Sequence, residues 1–461
     1  MIIFGLLSFG ENIMINTESV LHGFTDLKNL DHLGPIVLNQ AKGIYVYDQN
    51  GKKYLDANSG LWNSVVGFDH PRMIEAAKKQ YEKFSGYHSF FGRIAEPAVA
   101  LADKLIEISP FNKGKVFFTN SGSEANDTTV KLLWFINRQK GLPNKRKIIT
   151  RINSYHGVTA VSASMTGKPY NSEFGLPLDG FIHAACPHYW KNGHAGESEE
   201  SFTKRMGEDL ENIILREGAD TIAGFFAEHV MGAGGVIPPS KGYFEVIQKI
   251  LEKYDIPLIA DEVICGFGRT GNLWGSQTYN IKPDIMIASK CITSGFFPLG
   301  AVILGDRISN DLMDASYKAE EFPHGFTAGG HPVGCALALE AIDIIINEKM
   351  IENVQRLEPI FMGGLKKFEE FDFIGEARGI GLMGALEMVH DKKTKTPFDG
   401  SVSIGERVAN QCIENGLICR PLGPSIVLCP PFITTEDEMG IIFETLDKTL
   451  RKVFDEVKSL G

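Results

Sequence analysis

The sequence is poor in cysteine: seven in 461 residues, at Cys186, Cys265, Cys291, Cys335, Cys412, Cys419 and Cys429. They are scattered and odd in number, which excludes a disulfide framework and points to free thiols in a reducing, cytoplasmic compartment. Basic residues are outnumbered, 46 Lys and Arg against 57 Asp and Glu, for a net charge of −11. No Lys/Arg-rich tract occurs, so the chain carries no electrostatic footprint for nucleic acid or an anionic membrane. It also lacks an apolar run long enough to span a bilayer. The opening MIIFGLLSFGEN is faintly apolar but has no basic n-region and no small-residue cleavage site, and the first lysine is Lys28. It reads as an extension ahead of Met14, not an export signal. Repeats, low-complexity tracts and linkers are absent.

What is present is a long chain with 43% hydrophobic residues, enough for more than one core. Short apolar runs at 115–120, 147–152, 224–228, 257–261, 285–289 and 300–304 alternate with amphipathic stretches such as 243–254. This alternation predicts an α/β fold with a mostly parallel central sheet and helices on both faces. The tail is different. Residues 373–433 read as short strands and turns around a helix near 405–415. A long closing helix follows, opened by a Thr435/Glu438 capping box and striped by Met439, Ile442, Phe443, Leu446, Leu450, Val453, Phe454 and Val457. The expectation is a large domain over 71–335, and a smaller α+β domain built from 1–70 and 336–461.

Three features carry chemistry. Lys290 ends the run PDIMIASK and enters the Gly-containing loop SGFFPLGA. In open α/β sheets ligands sit beyond the carboxyl ends of strands. A lysine there is a snorkelling surface residue or a functional amine, and taken alone the surface reading is favoured. Asp261 ends a second apolar run, IPLIADEV, where it could also simply cap the next segment. A desolvated lysine beside a strand-end carboxylate suits pyridoxal 5′-phosphate (PLP). That cofactor needs an amine for its aldehyde and an anion beside its pyridine nitrogen, so that the ring stays protonated as an electron sink. The third feature is KVFFTN followed by Ser121-Gly122-Ser123 and a helical pattern. A strand, a small turn and a helix N-terminus make an anion site suited to the phosphate, although a plain serine N-cap has the same look.

Together these strings resemble the class III aminotransferases of PLP fold type I, over nearly the whole chain. The matching motifs include LDANSGLWN, GYHSFFGR, TNSGSEAND, SYHGVTAVSASMTGKPYN, VMGAGGVIPP, DEVICGFGRTG, SKCITSGFFPLGA, HGFTAGGHPVGCA and RPLGPSIVLCPPF. Within that family the sequence is most similar to bacterial (S)-selective ω-amine:pyruvate transaminases. The resemblance implies that Lys290 holds PLP and shuttles a proton, and that Asp261 pairs with the ring nitrogen. Ser121, Gly122 and Ser123 serve the phosphate, and Thr327 reaches it from the neighbouring subunit of a homodimer, or of a tetramer. Tyr155 stacks on the ring with Val263 on its other face, while His156 and Glu228 complete the cofactor surroundings. Trp62, Phe90, Phe91 and Tyr155 wall the substrate pocket, and Arg420 receives the keto-acid carboxylate. Without the resemblance the aromatics would read as plain core. The substrates it implies are a primary amine or ω-amino acid as donor and pyruvate as acceptor.

The family usually has Glu-Pro where this chain has Glu228-His229, which puts the local geometry of Glu228 in question. Two G-x-G-x-x-G matches, Gly266–Gly271 and Gly379–Gly384, fail the context that dinucleotide binding requires, a strand before and a helix opening within. That argues against a nicotinamide oxidoreductase. The spacing of His183, Cys186, His188 and His194 fits no zinc pattern, so no metal is expected. A PLP aminomutase of the same fold remains an alternative, and a non-catalytic scaffold would need none of the three features.

Overall fold

The computed structural model describes residues 17–458, so the extension ahead of Met14 lies outside them. After a short helix, Leu27–Leu33, three short strands form an antiparallel meander: β1 (Leu38–Lys42), β2 (Tyr45–Asp48) and β3 (Lys53–Asp56). The central sheet is built from β4 (Gly114–Thr119), β5 (Lys147–Arg151), β6 (Phe181–Ala184), β7 (Ile222–Glu228), β8 (Leu258–Asp261), β9 (Ile285–Ala288) and β10 (Gly300–Gly305). Its order is β4-β10-β9-β8-β7-β5-β6. β10 runs antiparallel to both its neighbours, and the other six strands share one direction.

Every residue of β7, β8 and β9 is buried, which explains their continuous apolar runs: helices cover both faces. Alternate side chains serve opposite layers. Ile148, Ala223, Phe226 and Ile259 pack with Ala125, Val130 and Leu133 of the helix Gly122–Gln139. Ile149, Phe225 and Leu258 face the helices Glu199–Glu217 and Tyr243–Lys253, meeting Leu210, Phe244 and Ile247.

The remaining strands are β11 (Ile374–Ile380), β12 (Met383–Met388), β13 (Leu417–Ile418), β14 (Arg420–Leu422) and β15 (Ser425–Leu428). β11, β12, β15 and β14 form an antiparallel sheet, whereas β13 pairs in parallel with β3. Strands from the two ends of the chain thus share one sheet. The closing helix Glu436–Lys458 starts from the expected capping box: Glu438 N–H donates to Thr435 Oγ1 at 3.2 Å, and Thr435 N–H to Glu438 Oε2 at 2.9 Å.

Gly266–Gly271 lies in a succession of turns and Gly379–Gly384 spans the β11–β12 hairpin, so neither is a strand-to-helix phosphate loop. Among the described residues no helix is long and apolar enough to cross a membrane.

Candidate active site

Parallel strands deliver their carboxyl ends to one edge of the sheet. Glu228 closes β7 and lies in register with Asp261, which closes β8. β9 ends next door and passes through Ser289 to Lys290, and β4 ends just before Ser121. A cavity of about 230 Å³ opens beyond these ends. Ser121, Gly122, Ser123, Tyr155, His156, Glu228, Asp261, Val263 and Lys290 all line it, nine residues singled out in the sequence and drawn from five separate segments.

Asp261 is buried and fully engaged. Its Oδ2 meets His156 Nδ1 at 2.8 Å and accepts from Asn126 Nδ2 at 3.2 Å, while Oδ1 accepts from the Val263 N–H at 3.1 Å. Burial pushes its carboxyl upward, but the bonds to His156, Asn126 and Val263 outweigh that and hold it below the ordinary range. The site therefore contains a fixed carboxylate. Lys290 sits in a left-handed backbone conformation (φ 48°), costly for a lysine and characteristic of functional positions. Its amine makes no hydrogen bond or ion pair among the described residues, and burial pulls its pKa down, toward the uncharged nucleophile.

At the other end of the cavity Ser121 caps the helix Gly122–Gln139, its Oγ accepting from Glu124 N–H at 3.2 Å. The next turn presents Gly122 and Ser123, whose Oγ accepts from Val158 N–H at 3.1 Å. A Cβ on Gly157 would meet Ser123 Oγ and Ser162 Oγ at 2.4 Å, so the backbone there is pressed against the helix start. Free N–H groups at a helix N-terminus, an unpaired amine and a buried carboxylate match the phosphate, aldehyde and ring nitrogen of PLP in turn.

Glu228 is held from two sides, Oε1 by the Tyr155 N–H and Oε2 by the Gly232 N–H, both at 2.9 Å. Burial raises its pKa. The adjacent His229 is buried too, its Nε2 lying 3.0 Å from Ser276 Oγ and 3.4 Å from Glu262 Oε1. His229 thus ties the end of β7 to the segment after β8.

Trp62 is buried and packs with Val230, Ile264 and Cys265, and Tyr155 lies against the same cluster. Arg420 stands over the Trp62 ring, its guanidinium 4.9 Å from the ring centroid. Trp62, Arg420, Phe90, Phe91 and Thr327 do not line the cavity of their own chain; Trp62 packs behind its wall residues Ile264 and Cys265, whereas Thr327 is exposed and Phe91 is 84% exposed. Sequence reasoning missed Asn126, which steadies Asp261. Its burial, beside the equally buried Thr128 and Thr129, emerges only from the fold. It also missed Val230, Ile264 and Cys265, apolar wall residues indistinguishable from core.

This fold and this site define a PLP-dependent aminotransferase of fold type I. The family described as Aminotransferase class-III matches residues 28–450, and the chain belongs to it. Among solved structures it is similar to the PMP-bound aminotransferase from Vibrio fluvialis, with 63% identity, a TM-score of 0.94, and coverage of 95% of this chain and 97% of that one. It is equally similar to an omega-aminotransferase from Paracoccus denitrificans, with 62% identity, a TM-score of 0.95 and coverage of 95% and 98%. Among curated proteins it is 46% identical to gamma aminobutyrate transaminase 3, chloroplastic, of Solanum lycopersicum over 445 residues, 96% of this chain and 86% of that protein.

Proposed function

We propose that the protein transfers an amino group from a primary amine or ω-amino acid to pyruvate, as a cytoplasmic homodimer. The observation that carries the reading is Arg420. It is half-buried beside the cavity, rests on an aromatic ring and forms no ion pair among the described residues. A cation kept without a carboxylate partner is costly unless a substrate supplies one. Similarity to ω-aminotransferases and to GABA transaminases supports a donor whose amine is not α to a carboxylate.

Bound PLP supplies an electron sink that stabilises negative charge at the substrate carbon bearing nitrogen. The chain does the rest. Asp261, fixed as an anion by His156 and Asn126, keeps the ring nitrogen protonated. Lys290 would hold the cofactor through its amine, and that same amine is the base placed to take up and return the substrate's proton. Gly122 and Ser123 anchor the phosphate. Tyr155 and Val263 confine the ring, and Trp62 and Tyr155 exclude water from the reacting face. Arg420 pairs with pyruvate and, anchored by its backbone in strand β14, turns its long side chain aside for an apolar amine.

Stopped-flow half-reactions test this. Arg420→Ala slows the pyruvate half-reaction on the order of 10–100-fold, the loss of a charge-assisted pair. The 1-phenylethylamine half-reaction changes far less. Equal losses in both would reduce Arg420 to a structural residue of the β14–β15 hairpin.

A further inference from the structure

Arg378, in β11, is buried and faces two acids of its own sheet. Its Nη1 donates to Glu376 Oε2 at 2.8 Å and its Nη2 to Glu387 Oε2 at 2.7 Å. His188 Nε2 lies 2.8 Å from Glu376 Oε2, and Ser425 Oγ donates to Glu387 Oε2 at 2.7 Å. Burial pushes both carboxyls upward, but His188 and Arg378 hold Glu376 below the ordinary range, and Arg378 and Ser425 do the same for Glu387. The guanidinium charge is thus met within the sheet. Its other bonds leave the sheet altogether. Nε and Nη2 donate to the Gly235 carbonyl at 3.0 and 2.8 Å, and Nε also to the Val236 carbonyl at 3.2 Å.

The segment gripped in this way is a strained turn. Met231 and Ile237 pair through both backbone bonds, at 3.0 and 3.1 Å. Between them GAGGV folds back on itself, with the Gly235 and Val236 N–H groups donating to the Gly232 carbonyl at 3.0 and 2.9 Å. Gly235 has φ 115° and Val236 φ 50°. A β-branched residue in the left-handed region is an outlier that persists only where its surroundings impose it. Arg378 imposes it from one side. Asn153, just past β5, adds a grip from the other, its Nδ2 donating to the Gly234 carbonyl at 2.9 Å. The first residue of the same turn serves the cavity: the Gly232 N–H is the donor that holds Glu228 Oε2 at 2.9 Å. Glu228 lines the cavity together with Asp261 and Lys290.

We propose that Arg378 is a positioning residue for the reaction: by holding the Gly232–Val236 turn in its strained form, it keeps the Gly232 N–H on Glu228 and so fixes that carboxyl in the cavity wall. This needs PLP in the cavity and is indifferent to which oxo acid accepts the amino group. An Arg378 that only neutralised Glu376 and Glu387 would stabilise the sheet and leave Glu228 unaffected.

Two variants loosen the grip from opposite ends. Arg378→Lys keeps a charge between the two acids but not the planar fork that spans two carbonyls. Gly235→Ala leaves the arginine and both acids in place, but its Cβ would lie 2.9 Å from Arg378 Nη2. In the PLP-free protein both variants speed amide hydrogen exchange over residues 231–237. With PLP bound, both shift the visible absorbance band in the direction that Glu228→Gln shifts it. Both also slow the amine half-reaction on the order of tenfold, the scale of one lost hydrogen bond to a carboxylate. Adding either of them to Glu228→Gln slows the reaction no further, because the pair acts through one group. Additive losses in that cycle overturn the proposal, as does a wild-type band and rate in both single variants, even where the melting temperature falls. A Glu228→Gln protein indistinguishable from wild type overturns it too.

Discussion

At the residue scale, Lys290 combines strain, burial and an unpaired amine, three costs that the folded chain bears for reactivity. Its folded pKa is depressed, so at pH values below the ordinary lysine range (about 10.4) the unfolded chain binds a proton that the folded chain resists. Stability of the PLP-free protein therefore falls as pH drops through that window, and the deficit levels off below the depressed value. Lys290→Met removes the deficit. The PLP-free variant melts at higher temperature than the PLP-free wild type, with a wider gap at pH near 7 than above about 10, while turnover is lost; thermal scans across pH read the difference. Asp261 has the opposite logic. Asp261→Asn keeps the contacts' shape but not the charge, so PLP stays bound while half-reaction rates drop on the order of 100-fold or more, the scale of a lost preorganised charge. Wild-type half-reaction rates in that variant would place the ring's anion elsewhere. Both residues were legible because each ends an apolar run. Asn126 was not, since a polar residue inside an amphipathic helix looks like any solvated position until the fold buries it.

At the element scale, the phosphate end depends on two backbones meeting closely. Gly157 has φ 139° and faces the start of the helix Gly122–Gln139. Gly157→Ala must displace either Ser123 or the Ser162 hydroxyl, and it costs about 1–3 kcal/mol of strain. PLP retention during dialysis drops accordingly, and unchanged retention would mean the helix start tolerates the shift. Six of the seven central strands were readable from apolar runs. β6 was not: its four residues, Phe181–Ala184, include His183 and lie at the sheet edge, where burial on both faces no longer dictates composition. The reversed direction of β10 was equally hidden. Its sequence, GAVILG, is as apolar as its parallel neighbours, because burial sets composition and connection geometry sets direction. The closing helix was legible to its capping box, since local hydrogen bonds need no tertiary knowledge.

At the scale of the whole molecule, the single chain leaves Phe91 and Thr327 outside its own cavity. The proposed homodimer would cover such an exposed aromatic with a second copy. Sedimentation at assay concentration shows a dimer, and Thr327→Ala weakens PLP binding by about 1–2 kcal/mol through loss of one hydroxyl–phosphate contact. A fully active monomer contradicts both. No pattern within one chain would reveal sharing of this kind, and the expectation came from the family resemblance alone. The way the chain divides its labour has a further consequence. Lys290, Asp261, His156 and the Ser121–Ser123 turn all come from the central sheet's carboxyl edge, whereas Trp62 and Arg420 are brought in by the two flanking parts of the chain, which meet where β3 pairs with β13. On the proposed roles, reactivity and choice of substrate are inherited through different stretches of sequence. Natural drift or directed evolution could then rewrite the stretches carrying Trp62 and Arg420 to take new amines while the bond-breaking apparatus stays untouched.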